Sequence, residues 1–181
     1  MLTGLLALPV TLAVGRFSLI YWDRFQAERA ATAELARPQP APAAYGVLGG
    51  IRLEQGRLAE AVPLLQKAAD IERASRSGTR DSLSLAKALI GLGRPQEAAA
   101  ALKQAEALTD KAPQGEQART LFSAGIFWRQ MGRKAEALAD LRRAVALQPD
   151  DWVDLGPGGR EKSAGLSGYY QKMLAAAEQD R

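Results

Sequence analysis

Ser84 and Lys87 stand three residues apart in "SLAK", the spacing at which a lysine on a helix can take the proton of a serine nucleophile. The companion signatures of that enzyme class are absent, so the pair reads as two polar positions on one helix. "GPGGREKS", Gly156 to Ser163, has the glycine density of a phosphate-binding loop. That mechanism needs glycine directly before the lysine and a strand leading into the loop. Glu161 stands there instead and puts a carboxylate where phosphate would sit. Glu60, Glu97 and Glu136 recur at matching points near helix starts, where the helix dipole favours negative charge. The 181 residues contain no cysteine, no histidine and no asparagine. A disulfide framework, a zinc site of the usual kind and a Cys–His nucleophile pair are therefore excluded. The reading is a non-enzyme: no catalytic residue, no cofactor, no metal.

Charge points the same way. Twenty-four basic and 20 acidic residues give a net charge of +4, mild for a nucleic-acid binder. The arginines are spread among carboxylates, and the densest group, Arg73, Arg76 and Arg80, is short. No nucleic acid is expected as a partner. Abundant alanine and leucine with little β-branching favour an all-α chain.

The elements that would position any site emerge from an internal repeat. "QGRLAEA", "LGRPQEA" and "MGRKAEA" place glycine at 56, 93 and 132. Small residues stand seven before each glycine (Gly49, Ala86, Gly125) and five after it (Ala61, Ala98, Ala137). Leucine follows nine after (Leu65, Leu102, Leu141) and alanine twelve after (Ala68, Ala105, Ala144). Self-similarity at a period near 40 residues is the mark of a stacked helical array. Each unit reads as two antiparallel helices. The central glycine ends the first helix, and the small pair lets the two axes approach closely.

This pattern resembles the tetratricopeptide repeat family over roughly Pro42 to Pro149, best in the third unit with Trp128, Ala144 and Pro149. Ser82 and Leu89 stand in the second unit where aromatics are common. The resemblance implies an all-α, right-handed solenoid of three helix-turn-helix repeats spanning 45–149 (45–78, 79–115, 118–149). A Gly-rich loop, 150–166, and a capping helix, 167–181, follow. The cap's apolar stripe is Tyr170, Met173 or Leu174, and Ala177.

Residues 1–22 form the other distinct segment. Leu2 to Trp22 is almost wholly apolar and, as a helix, about 31 Å long, enough to cross a bilayer. Arg16 is placed to reach the headgroups with its long stem, and Tyr21 and Trp22 to lie at the membrane interface. A cleaved signal peptide is the alternative, but no basic residue precedes the apolar run. Arg16, Arg24, Arg29 and Arg37 follow it, which leans the repeats towards the cytoplasmic side; a periplasmic orientation is the other option. A helical extension, 23–37, and a Pro-rich spacer, 38–44, would join this anchor to the repeats.

In the resembled family the first helices line a concave face that takes a peptide segment. Carrying those positions over gives Leu53, Glu54, Arg80, Leu83, Lys87, Ile90, Arg119, Phe122, Ile126 and Arg129. This mixture of apolar and basic residues suits an acidic amphipathic segment of a protein partner. The asparagine-containing clamp of the chaperone-binding members cannot be built here. Anchor, spacer and repeats in this order are similar to bacterial inner-membrane assembly proteins. One such family, acting in lipopolysaccharide assembly, carries a cysteine-rich module that this chain lacks; accessory proteins of periplasmic dehydrogenase maturation are another possible relative. The expected function is a membrane-tethered, protein-binding assembly factor. The alternative is a structural subunit held in a membrane complex mainly by its transmembrane helix.

Overall fold

The computed structural model describes residues 23–110, 112–147, 152–154, 160–162 and 166–179. A helix, α1, covers 23–35. Three antiparallel pairs follow: α2 (Pro42–Glu54) with α3 (Leu58–Ser75), α4 (Arg80–Gly91) with α5 (Pro95–Thr109), and α6 (Gln114–Gln130) with α7 (Lys134–Leu147). A short antiparallel hairpin, β1 (Trp152–Asp154) and β2 (Arg160–Lys162), comes before α8 (Leu166–Gln179). Its register pairs Trp152 with Lys162 and Asp154 with Arg160, so part of the expected loop is paired strand. Every other regular element among the described residues is a helix.

Each pair is built the same way. Gly56, Gly93 and Gly132 have φ of 73°, 69° and 72°, the left-handed region where a side chain would be strained. Their turns close alike: the next N–H donates back to the first helix, Arg57 to Arg52 O, Arg94 to Leu89 O and Arg133 to Trp128 O, each at 2.9 Å. The same three arginines reach forward to the second helix. Arg57 Nε donates to Glu60 at 2.8 Å, Arg94 Nε to Glu97 at 2.6 Å and Arg133 Nε to Glu136 at 2.8 Å. The recurrent glutamates therefore have arginine partners in addition to the helix dipole. Those partners hold the Glu97 and Glu136 carboxyls below the ordinary range.

The small residues mark where the backbones meet. A Cβ on Gly49 would come within 2.8 Å of Leu65, and one on Gly125 within 2.8 Å of Leu141 and 3.2 Å of the Ala137 carbonyl. Ala61, Ala86, Ala98 and Ala137 are wholly buried beside them. One apolar cluster runs through the pairs from Ala61 and Leu65 to Trp128 and Ala137. A second joins Ala118, Leu121 and Ala144 to Tyr170 of α8. Burial at such small side chains is individually slight, so the core depends on close approach rather than on bulk.

The N-terminal connection differs from the expected spacer. Pro42 occupies the first turn of α2, where its missing N–H costs nothing. The link shrinks to 36–41, and Ala41 N–H donates to Glu34 at 2.9 Å. Thereafter α1 lies against α2: Arg52 is paired with Glu28, Gln55 donates to Glu28 at 2.9 Å, and Arg24 sits 3.0 Å from Glu54. Among the described residues no helix is long and apolar enough to cross a membrane. The expected anchor, with Arg16, Tyr21 and Trp22, lies outside them.

Candidate functional site

The first helices α2, α4 and α6 together line a cavity of about 710 Å³. Counted back from the small packing residues Gly49, Ala86 and Gly125, the lining follows one rule. Six before stand Ala43, Arg80 and Arg119; two before stand Val47, Ser84 and Ser123. Three before are Gly46 and Leu83, and the third equivalent is Phe122. The helical period brings these offsets to one face, and stacking brings the faces side by side.

The floor is acidic and already satisfied. Glu72, at the end of α3, is 7 % exposed and caps α4 from outside that helix. It accepts from Asp81 N–H at 2.9 Å, Ser82 N–H at 3.0 Å and the Ser82 hydroxyl at 3.0 Å. Thr79, at the usual capping position, makes no such bond. Its hydroxyl instead meets that of Thr120 at 2.8 Å, joining α4 to α6. Ser82 also accepts from Gln104 at 3.2 Å, so where an aromatic is common, a polar cluster of Glu72, Ser82 and Gln104 fills the interior. Asp81 lies against Gly46, leaving no room for a Cβ there. Burial and the neighbouring Glu72 push its carboxyl above the ordinary range.

The rim is basic. Arg80 and Arg119 are exposed and make no ion pair among the described residues. Val47 is 46 % exposed beside them. Two free guanidiniums over a partly apolar cavity can take carboxylates while a neighbouring side chain enters below.

Of the ten residues expected to line the groove, Arg80, Leu83 and Arg119 line this cavity. The others are spread over neighbouring surfaces. Leu53 and Ile90 are half-buried against the core, and Glu54 is engaged by Arg24 of α1. Phe122 is covered by the cap: its ring stacks on Tyr170 with centroids 3.9 Å apart and meets Tyr169 at 5.4 Å. Lys87 is exposed on α4, and Ile126 and Arg129 are half-buried on α6; none of these three lines the cavity. The expectation leaned towards the C-terminal ends of the first helices, whereas the open space lies at their N-terminal ends. Val47, Ser84 and Ser123 were legible as a recurring offset, but the offset itself carries no chemical signal, and Ser84 drew notice only for its spacing to Lys87.

Ser84 and Lys87, read as two polar helix positions, separate by environment: Ser84 lines the cavity and Lys87 does not. Among the described residues no group of acidic side chains is arranged to hold a metal ion. As expected of the cap, Tyr170 and Ala177 are both 2 % exposed, and Met173 and Leu174 half-buried.

No match was found among curated proteins. Residues 25–77 and 83–151, more than half of the chain, match the tetratricopeptide repeat, and the first stretch begins inside α1. With three glycine-hinged helix pairs in register and a match of this extent, the chain belongs to the tetratricopeptide repeat family.

Proposed function

We propose that the protein is a non-enzymatic, membrane-tethered recruitment factor that captures an acidic amphipathic segment of a protein partner in the cavity lined by α2, α4 and α6. Tetratricopeptide repeats are generally protein–protein interaction modules, which supports the class of function. The observation that carries the partner's chemistry is the pair of exposed, unpaired arginines, Arg80 and Arg119, at equivalent positions of neighbouring repeats. Leu83 and Val47 offer the apolar part of the surface. Tethering rests on the apolar composition of residues 1–22, and the cytoplasmic side on the arginines that follow. The likeness to bacterial inner-membrane assembly proteins supports that compartment.

Arg80→Glu with Arg119→Glu should reduce partner recovery from detergent-solubilised membranes at least tenfold while leaving helical content unchanged. Repulsion at two points of an interface costs several kcal/mol. Lys67→Glu with Lys172→Glu, both exposed and away from the cavity, matches the charge change and should recover the partner normally. Unchanged capture by the groove variant would move the contact to another surface, and towards a subunit held through its N-terminal segment.

A further inference from the structure

Trp128 is 1 % exposed, and its indole nitrogen carries one hydrogen. Glu106 Oε1 lies 2.9 Å from that nitrogen and Asp140 Oδ2 3.1 Å. Two oxygens within reach of one N–H stand on the same side of the ring and are neighbours. Ionised carboxylates offer only acceptors, so with one indole hydrogen between them two ionised groups would face each other without a donor to join them, and a proton on one supplies it. Glu106 belongs to α5 of repeat two, and Asp140 to α7 of repeat three. We propose that Glu106 and Asp140 hold a single proton between them, and that this shared proton ties repeat three to repeat two beneath the Trp128 ring.

The surrounding charges compensate the pair only weakly. On α7, Arg143 Nη1 lies 3.7 Å from Asp140, too far for a hydrogen bond, and its other nitrogen 3.9 Å from exposed Asp110, just past the end of α5. Glu136 is taken by Arg133, whose guanidinium stands 5.1 Å from the Trp128 ring centre. Lys103 of α5 is exposed and acts on Glu136. From α6 come the neutral indole and, one residue on, half-buried Arg129. On α8, Glu178 is paired with Arg142 at 2.9 Å. Asp140 itself is 4 % exposed and its neighbour Arg143 is exposed and beyond hydrogen-bond reach, so a second negative charge there would be poorly hydrated and only weakly paired.

The proton leaves to solvent near neutrality, because burial and Glu106 push the Asp140 carboxyl up to about 7. Histidine, the usual residue that changes charge between about pH 5 and 8, is absent from the chain. In the unfolded chain an aspartate releases its proton near pH 4. Between about 4 and 7 the folded protein keeps a proton that the unfolded chain has lost. The stability that this proton contributes is therefore fully present below pH 4, falls as pH rises towards 7, and is lost above it.

The test is an indole N–H titration of the full chain in detergent micelles, with the Trp128 signal assigned by its loss in Trp128→Phe. The signal should shift with a midpoint near pH 7, and the melting temperature should fall roughly 5–10 °C between pH 5 and 8. Asp140→Asn and Glu106→Gln should each abolish the shift and flatten that slope. If one amide variant does not fold, the other variant and the wild-type titration still decide. A Trp128 signal unmoved from pH 5 to 8.5, or a shift that persists in both amide variants, overturns the proposal.

Discussion

Arg52 and Trp128 occupy the same place in repeats one and three, three residues after Gly49 and Gly125. Both point a donor at acids from the helices on either side. Arg52 reaches Glu28 of α1 and lies 3.5 Å from Glu60 of α3; Trp128 reaches Glu106 of α5 and Asp140 of α7. A guanidinium brings a positive charge and five hydrogens, so Arg52, with help from Gln55, holds the Glu28 carboxyl below its ordinary range. An indole brings one hydrogen and no charge, so the acids beneath Trp128 are left to share a proton. Repeat two has Leu89 at this place, buried in the core with no polar demand. The lesson is that one structural position tolerates charge, a neutral donor or pure hydrocarbon. Glu28 and Asp140 are shifted in opposite directions accordingly.

The largest way to break the comparison is Trp128→Ala. It opens a cavity at the centre of the main cluster and strips the acids of their donor, with an expected loss of about 3–5 kcal/mol. Denaturant unfolding would measure it, and a loss below about 1 kcal/mol would mean that the junction does not rest on the indole. Arg52→Met should cost less, about 1–2 kcal/mol, since its stem is kept and its partners are partly hydrated. That variant should also loosen α1 from α2, seen as faster amide exchange in 23–35; unchanged exchange there would show that α1 docks by other contacts. The smallest effect concerns acid. Because Glu28 is held below its ordinary value, its contribution is present above about pH 4.5 and lost as pH falls through its lowered folded value. Glu28→Gln should thus reduce the drop in melting temperature between pH 6 and 3 by a degree or so, whereas Asp140→Asn acts between pH 4 and 7. If both variants altered the same limb of the pH profile, the contrast between charged and neutral donors would fail.

Much of the fold was legible because close approach leaves a residue-type signature. Only glycine or alanine fits where α2 meets α3 or α6 meets α7, and only glycine is unstrained at Gly56, Gly93 and Gly132. Those demands repeat with the helix pair, so spacing alone disclosed them. Cavity residues carry no such signature. Ser84, Ser123 and Val47 are acceptable on any helix surface, and Leu53, Glu54 and Phe122 resembled groove residues until neighbouring elements claimed them. Glu54 went to α1 and Phe122 to α8, partners supplied by segments outside the repeat pattern. The cap on α4 was equally hidden, because Glu72 arrives from the preceding helix and not from the capping position itself.

By itself, the amino-acid sequence determined the repeated unit, its glycine hinges, its small-residue contacts and the absence of cysteine and histidine chemistry. Those are local or periodic properties, set by backbone strain, side-chain size and composition. Tertiary structure alone decided which end of the first helices stays open, which arginines remain unpaired, and that Glu106 and Asp140 meet under one indole. Glu106, Trp128 and Asp140 lie on three different helices, and their encounter depends on how one repeat is rotated upon the next. That angle is set by the summed packing of many small side chains, none of which signals it alone.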